Sequence, residues 1–347
     1  MMRCFQGDRK MKHGKKCKID KYTLILIVLL LLLTGLVIAW KLPQKEDRYI
    51  HVGIAVYDRS DTFMESYIRE LEDKIGQTRI LGKKVSYEIY DAEGIGSRQE
   101  KQLQEMYAQD YDVMLVNLVE PASAASVLTD AKDADIPVIL FNREIDEKDL
   151  KISKNVWYVG TDARAAGVMQ GKLLKDLWKK QSRILDWNGN GMLDYVLVEG
   201  EESHFDAIRR TSGFLETGAE LPLNQKGNIL AEWKRELAYE KFAALDDEAV
   251  QNVEAVICNN DDMALGVYDY YKEKNLKLPV IIGINNSEEM HQKIMSGEMY
   301  GTIDNKMEDQ VMEICRLMQA ILKKDTGSYQ KVWYSTPKAI VKAEGTE

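Results

Sequence analysis

Cysteine and histidine are scarce in this chain of 347 residues, which contains four of each. No two cysteines have the Cys-x-x-Cys spacing, and His51, His204 and His291 share no metal-ligating spacing, so neither a zinc site nor a disulfide framework is implied. A Gly-x-Ser-x-Gly nucleophile elbow is also absent. Gly94-Ile-Gly96 follows a predicted strand, but Gln99 stands where a dinucleotide fingerprint has its third glycine. These absences argue against a hydrolase and against nucleotide binding.

A long uncharged run occurs once, at residues 23–40, where 18 residues are about the minimum that crosses a bilayer as a helix. The arm before it, residues 1–22, carries eight Lys or Arg against two Asp, a net charge of +6. The positive-inside rule keeps this arm in the cytoplasm, so the chain after a linker at 41–48 is extracytoplasmic. We expect a single-pass N-terminal anchor. Cleavage after the small-residue pattern Val37-Ile38-Ala39 is the open alternative, and it would release a periplasmic or secreted protein.

The remainder of the chain is acidic, because the total of −9 and the +6 of the arm leave −15 for it. A body of this charge argues against nucleic acid as a partner. Its apolar and charged content is that of a folded, mostly soluble protein, and its length suggests two domains.

Short β-branched runs alternate with helical patterns along the body. Strands are predicted at 51–57, 85–91 and 113–117, with helices near 62–76 and from Ser97 between them. This alternation is typical of an α/β fold whose parallel sheets are covered by helices on both faces.

The same pattern recurs with a constant offset of 143 residues, which indicates a duplicated lobe. The pairs related by this offset are Asn117 with Asn260, Asn142 with Asn285, Asp61 with His204, and Asp162 with Asn305. Each of these residues follows the carboxyl end of a predicted strand, the edge where ligands bind in open α/β sheets. Two such lobes would face each other across a cleft that suits a neutral polyol. The alternative is that these residues serve only as turns and helix caps.

The segment from Asp186 to Asp194 has the spacing of a calcium loop. Oxygen ligands stand at positions 1, 3, 5 and 9, glycine at position 6 and a backbone carbonyl at position 7. These residues are Asp186, Asn188, Asn190, Gly191, Met192 and Asp194. Position 12 is Leu197, so an acidic ligand has to come from elsewhere in the chain. An Asn-Gly hairpin turn is the alternative interpretation.

Seven segments together resemble the periplasmic galactose/glucose-binding proteins, from about residue 50 to the end. They are YDRSDTFM, VNLVEP, ILFNRE, YVGTD, GEESHFDAIRR, ICNNDDMALG and GTIDN, in this order, with the calcium-like loop among them. The resemblance implies a type I periplasmic-binding fold, in which two Rossmann-like lobes are joined by three crossovers. We place the first lobe at 49–145 plus 306–332 and the second at 146–305 plus 333–345.

The resemblance also implies the site. Sugar hydroxyls would bond Asp61, Asn117, His204, Asp206, Arg210, Asn260 and Asn305, the ring would stack between Phe63 and Trp233, and Asn285 would complete the site. The remote calcium ligand would be Glu254, which joins Asp186, Asn188, Asn190, Met192 and Asp194 around a structural calcium ion. The chemistry agrees, because a pyranose has apolar C–H faces and a hydroxyl edge that needs oriented polar groups.

One departure concerns Asn285, where the family has Asp, and it leaves the identity of the sugar open. The expected function is therefore monosaccharide binding without catalysis, by a monomer that presents a galactose- or glucose-like hexose to an ABC permease. A membrane-tethered sugar sensor is the alternative. A sugar-acting enzyme would need Asp61 and Asp206 as catalytic carboxylates, but Arg210 beside Asp206 would keep an acid catalyst ionised.

Overall fold

The computed structural model describes residues 21, 22, 30, 32, 34, 49–246 and 250–342. Residues 1–47 and 48–347 form two compact units. In the first unit, the five described residues are all helical. The predicted membrane segment at 23–40 lies outside the described residues except at positions 30, 32 and 34. Among the residues that are described, no helix is both long enough and apolar enough to cross a membrane.

The second unit alternates strands and helices, as the sequence predicts. Its strands are β1 (Tyr49–Val56), β2 (Arg79–Ile80), β3 (Lys83–Asp91), β4 (Val113–Val116), β5 (Val138–Asn142), β6 (Val156–Thr161), β7 (Leu193–Glu199), β8 (Leu223–Leu230), β9 (Ala255–Cys258), β10 (Val280–Ile284), β11 (Gly301–Asp304), β12 (Val332–Ser335) and β13 (Lys338–Val341). Its helices are α1 (Thr62–Gln77), α2 (Gly96–Tyr107), α3 (Ala124–Asp133), α4 (Ala163–Leu185), α5 (Phe205–Gly218), α6 (Arg235–Ala243), α7 (Asp261–Glu273), α8 (Glu288–Ser296) and α9 (Met307–Leu322).

The strands form two sheets, one in each lobe. The first has the order β12-β6-β5-β4-β1-β3-β2 and the second the order β13-β11-β10-β9-β7-β8. Within the described residues the pairing is parallel except between β2 and β3 and between β11 and β13. This arrangement confirms the predicted two-lobed α/β fold with parallel sheets.

Helices cover both faces of each sheet, which explains the nearly continuous apolar runs of the central strands. In the first lobe, α1 and α9 pack on one face and α2 and α3 on the other. In the second lobe, α6, α7 and α8 cover one face and α4 and α5 the other. The two rigid sheets therefore hold their carboxyl edges in fixed positions, where the loops carry the polar residues.

The chain crosses between the lobes at three places, as expected, but two of the crossovers lie later than predicted. β6 pairs with β5 and with β12 in the first sheet, so residues 146–161 belong to the first lobe and the chain crosses at Asp162. β12 is likewise in the first sheet, which moves the last crossover from 332/333 to the segment between Ser335 and Lys338. The middle crossover follows β11, since the next helix, α9, packs in the core of the first lobe.

One carbonyl oxygen ties the three crossovers together. The backbone oxygen of Asn305 accepts hydrogen bonds from Thr161 Oγ1 (2.9 Å), Ser335 Oγ (2.7 Å) and Gln310 Nε2 (2.8 Å). All four residues are buried. The three crossovers between the lobes are thus joined by one buried hydrogen-bonded cluster.

Candidate functional site

A cavity lies between the lobes, at the carboxyl ends of the strands of both sheets. It encloses about 420 Å³, including the part open to solvent, which is the size of a site for a small molecule. Its lining is Tyr57, Asp61, Phe63, Asn142 and Arg143 from the first lobe and His204, Asp206, Arg210, Trp233, Asn260 and Asn285 from the second. Eight of the ten residues predicted to bind the ligand therefore line one cavity, and Asn117 and Asn305 do not.

Three of these residues also cap helices. Helix capping and a place in the cleft, which the sequence offered as alternatives, are therefore compatible. Asp61 Oδ1 accepts from Met64 N at 2.7 Å at the start of α1. Asn260 Oδ1 accepts from Met263 N at 2.9 Å at the start of α7. His204 occupies the corresponding position of α5. Capping fixes one side-chain atom of each residue and so orients the rest toward the cleft.

The hydrogen bonds of His204 define its tautomer. Its Nδ1 accepts from the backbone N–H of Asp206 at 3.2 Å, so the proton of the neutral ring is on Nε2. That Nε2 is buried and has no hydrogen-bond partner among the described residues. Burial, with the nearby cations Arg143 and Arg210, lowers the pKa of His204 to about 2. The imidazole is therefore neutral at physiological pH and offers one N–H donor to the cavity.

Asp206 and Arg210 place a buried carboxyl group and a buried guanidinium on the first turns of α5. Burial raises the pKa of Asp206, and the Arg210 guanidinium opposes that rise. Arg210 Nη1 donates to Asn259 O at 2.6 Å, which fixes the guanidinium plane. Its Nε is buried without a partner within the part of the chain that is described. The cavity therefore presents a second oriented N–H donor.

Trp233 forms one wall of the cavity and is held in an unusual backbone conformation. Its φ is 67°, in the left-handed region, and its carbonyl accepts from Asn260 Nδ2 at 2.9 Å. The indole lies against Gly200, where a Cβ would come within 2.2 Å of the ring. It also makes an edge contact with His204, with ring centroids 5.3 Å apart. Only glycine at position 200 leaves room for the indole in this place.

Asn117 and Asn305 lie behind the cavity wall. Asn117 is fully buried, and its side chain accepts from Tyr57 N at 3.3 Å and donates to Phe141 O at 3.0 Å. Asn305 Nδ2 donates to Asn285 Oδ1 at 2.9 Å, and Asn305 Oδ1 is buried without a partner among the described residues. These side chains support Tyr57 and Asn285, which do line the cavity.

Sequence reasoning missed Tyr57 and Arg143 as lining residues, and it placed Asn142 at the edge of the cleft without naming it as a binding residue. The Arg143 guanidinium stacks on the Tyr57 ring at 3.7 Å from its centroid, and Arg143 is only 6% exposed. Each of the three residues stands at or just beyond the end of a strand, β1 or β5, which was the available signal.

The chain matches the family of periplasmic binding protein domains over residues 52–326. It belongs to this family. The D-galactose/methyl-galactoside binding periplasmic protein MglB of Haemophilus influenzae is 30% identical over 290 residues, which cover 81% of this chain and 84% of that protein. The galactofuranose-binding protein YtfQ of Escherichia coli K12 is 27% identical over 69% of this chain and 74% of that protein. The resemblance seen in the sequence is confirmed at the level of the family, whose members are binding proteins and not enzymes.

A solved structure supports the same fold. The Caulobacter myo-inositol binding protein, bound to myo-inositol, superposes with a TM-score of 0.72 at 23% identity, over 86% of this chain and 95% of that chain.

Contacts across the cleft show that the lobes are closed on each other. At one end, Thr62 of α1 hydrogen-bonds Asp262 of α7. At the other end, Glu144 pairs with Arg209 of α5 and accepts from Tyr334 Oη at 2.6 Å. Burial raises the pKa of Glu144 to about 7, against the opposing effects of Tyr334 and Arg209.

The loop at 186–194 lies against Glu254, whose carboxylate accepts hydrogen bonds from its backbone N–H groups. Glu254 accepts from Trp187 N at 2.8 Å and from Asp194 N at 2.9 Å. Asn188 Nδ2 and Asn190 Nδ2 lie 3.0 and 3.2 Å from Asp194 Oδ2. Asp194 and Glu254 are both buried, and burial together with the Asp194 charge raises the pKa of Glu254.

The side-chain oxygens of this loop are hard ligands, and Lys226 Nζ, 3.7 Å from Asp194 Oδ2, forms an ion pair with one of the two buried carboxylates, Asp194 and Glu254. This set fits a divalent cation such as calcium. Among the described residues, however, no group of three or more His, Cys, Asp or Glu is arranged to hold a metal ion. Amide and backbone oxygens would have to complete the coordination, and calcium binding stays a prediction.

Proposed function

We propose that the chain is an extracytoplasmic binding protein for a monosaccharide, a hexose similar to galactose or glucose, and that it presents the closed, sugar-loaded form to an ABC importer. The observation that carries the proposal is the pairing of apolar and polar groups in one small cavity. Phe63 and Trp233 line the cavity from opposite lobes, while His204 and Arg210 have buried N–H donors that lack partners among the described residues. A pyranose matches both requirements.

The relatives support this choice. The two sequence relatives named above are described as binding D-galactose or methyl-galactoside and galactofuranose, and the structural neighbour as binding myo-inositol, so all three bind small polyhydroxylated molecules. The cavity is also too small for a long oligosaccharide.

A thermal-shift panel of pentoses, hexoses and inositols tests the proposal. A sugar present at 100 times its dissociation constant should stabilise the protein by about 2.7 kcal/mol, because it binds only the folded state. Sucrose at equal concentration controls for excluded-solute stabilisation. No specific shift with any monosaccharide would contradict the proposal.

Asn285 stands where the family has Asp and lines the cavity, so the variant Asn285→Asp tests whether this position contributes to sugar affinity. Asn285 Oδ1 already accepts from Asn305, so Asp would keep that bond and replace the amide nitrogen by a second acceptor. The backbone φ of 129° lies in a region that L residues rarely adopt, and Asp would share this strain with Asn because both carry a Cβ. If a sugar hydroxyl donates to this position, affinity for galactose or glucose should rise about fivefold, roughly 1 kcal/mol, by calorimetry. A ligand that accepts from the amide would bind more weakly, and no change with any sugar would place residue 285 outside the binding contacts.

We further propose that Asp186, Asn188, Asn190, Asp194 and Glu254, with the carbonyl of Met192, hold a structural calcium ion. The ion would compensate the carboxylates that the loop brings together. Chelator should then lower the melting temperature by several degrees, and Asp186→Ala should abolish this sensitivity. Asp176→Ala, which removes an exposed acid from α4, should leave the sensitivity intact. Melting curves that are identical with and without chelator would rule out the metal site.

The proposed location is the outer face of the cell membrane, with residues 23–40 as a retained anchor. Protease added to intact cells should digest the body and spare a tag at the N-terminus, because residues 1–22 would be inside. A mature protein that begins at Trp40 would instead support signal cleavage.

A further inference from the structure

Glu201 connects two residues that stand on opposite lobes. It follows β7 in the second lobe, and its Oε1 accepts from Arg143 Nη2 at 3.3 Å and from Trp233 Nε1 at 3.1 Å. Arg143 follows β5 in the first lobe, whereas Trp233 follows β8 in the second. One carboxylate oxygen therefore bonds both the facing lobe and the indole of the cavity wall.

Arg143 is a rigid partner in this bridge. Its Nη1 donates to Val119 O at 2.5 Å, its guanidinium lies on the Tyr57 ring, and the side chain is buried. The guanidinium therefore stays with the first lobe, and Glu201 reaches it when the lobes close. The side chain of Glu201 is 41% exposed, so it has room to move before closure.

The indole N–H of Trp233 has Glu201 as its hydrogen-bond acceptor. Its backbone is fixed by Asn260 and its ring rests on Gly200, but Glu201 holds the indole N–H. A Glu201 carboxylate that is free of Arg143 can adopt other rotamers, and the ring angle of Trp233 is then less restricted.

We propose that Glu201 is a positioning residue, which fixes the orientation of Trp233 when the lobes close because Arg143 of the other lobe immobilises its carboxylate. The inference rests on the proposed function, in which Trp233 stacks on the sugar. Closure of the lobes would then both cover the ligand and fix the orientation of the Trp233 ring beside it. The alternative is a half-exposed ion pair with no effect on the indole.

The first test needs no ligand. Thr62 and Asp262 touch across the cleft, so Thr62→Cys with Asp262→Cys should trap the full-length protein closed, with Cys4 and Cys17 replaced by Ser. In the trapped protein, NMR measures hydrogen exchange of the Trp233 indole N–H, assigned by its loss in Trp233→Phe. Arg143→Gln should accelerate this exchange severalfold, although Arg143 does not bond the indole. Glu201→Ala should accelerate it more, and the double variant no further.

Glu202→Ala, the exposed neighbour in the chain, is the matched control and should leave exchange unchanged. If Arg143→Gln perturbs folding, Glu201→Gln serves instead, because it keeps an acceptor for the indole but weakens the pair with Arg143. Unchanged exchange in both variants would overturn the proposal, and so would additive effects in the double variant.

The second test uses the best sugar from the thermal-shift panel. Glu201→Ala should raise the dissociation rate about tenfold and change the association rate less than twofold, since the bridge forms after the sugar has entered. An unchanged dissociation rate would overturn the positioning role. If no sugar binds, the proposed function fails, while indole exchange in the trapped protein still decides the role of Glu201.

Discussion

Replacing Trp233 by Ala is expected to weaken sugar binding by about 30- to 1,000-fold, the equivalent of roughly 2–4 kcal/mol. The indole is the largest apolar surface on its side of the cavity, and it packs on Gly200 and on the edge of His204. Its removal takes away one stacking face and admits water beside the His204 and Arg210 donors. Calorimetry with the best sugar from the panel measures the change.

The control for this variant is Trp187→Ala. Trp187 lies in the loop at 186–194, under Lys277 and away from the cavity, so its loss should leave sugar affinity unchanged. Urea unfolding establishes that both variants are folded. A change of less than threefold for Trp233→Ala would remove Trp233 from the binding contacts.

Replacing Arg210 by Met is expected to lower the free energy of unfolding by about 1–3 kcal/mol, because it removes the guanidinium that acts most strongly on the buried Asp206 carboxylate, although Arg143 and Arg209 remain nearby. Both residues are less than a tenth exposed. Burial already raises the pKa of Asp206 while Arg210 opposes the rise, so the variant should raise that pKa further.

The loss of stability in Arg210→Met should depend on pH in a direction set by the pKa of Asp206. A carboxyl whose pKa is higher in the folded than in the unfolded state binds a proton on folding, so its contribution to stability decreases as pH rises between the two pKa values. The deficit of Arg210→Met should therefore be larger at pH 8 than at pH 5. Asp206→Asn in the same protein should recover much of it. Equal deficits at both pH values would show that Arg210 does not compensate Asp206.

Much of the site could be predicted from the sequence because it depends on local order. Strand ends are marked by apolar runs, and the residue after a parallel strand lies at the sheet edge whatever the rest of the chain does. Asp61, His204 and Asn260 were found in this way, and they are also helix caps, which is a local property. The offset of 143 residues indicated two lobes for the same reason.

The alternation of strands and helices, the two lobes and part of the cavity lining thus followed from hydrophobic periodicity and residues at strand ends, whereas Phe63, Asp206, Arg210 and Trp233 were implied only by the resemblance to the galactose/glucose-binding proteins. Only the tertiary structure decided that β6 and β12 belong to the first sheet, because strand pairing joins segments more than 170 residues apart. It alone decided that Asn117 and Asn305 support the wall and that Arg143 lines it. Those assignments depend on which way a side chain turns at a shared edge, and neighbours from distant parts of the chain fix that direction.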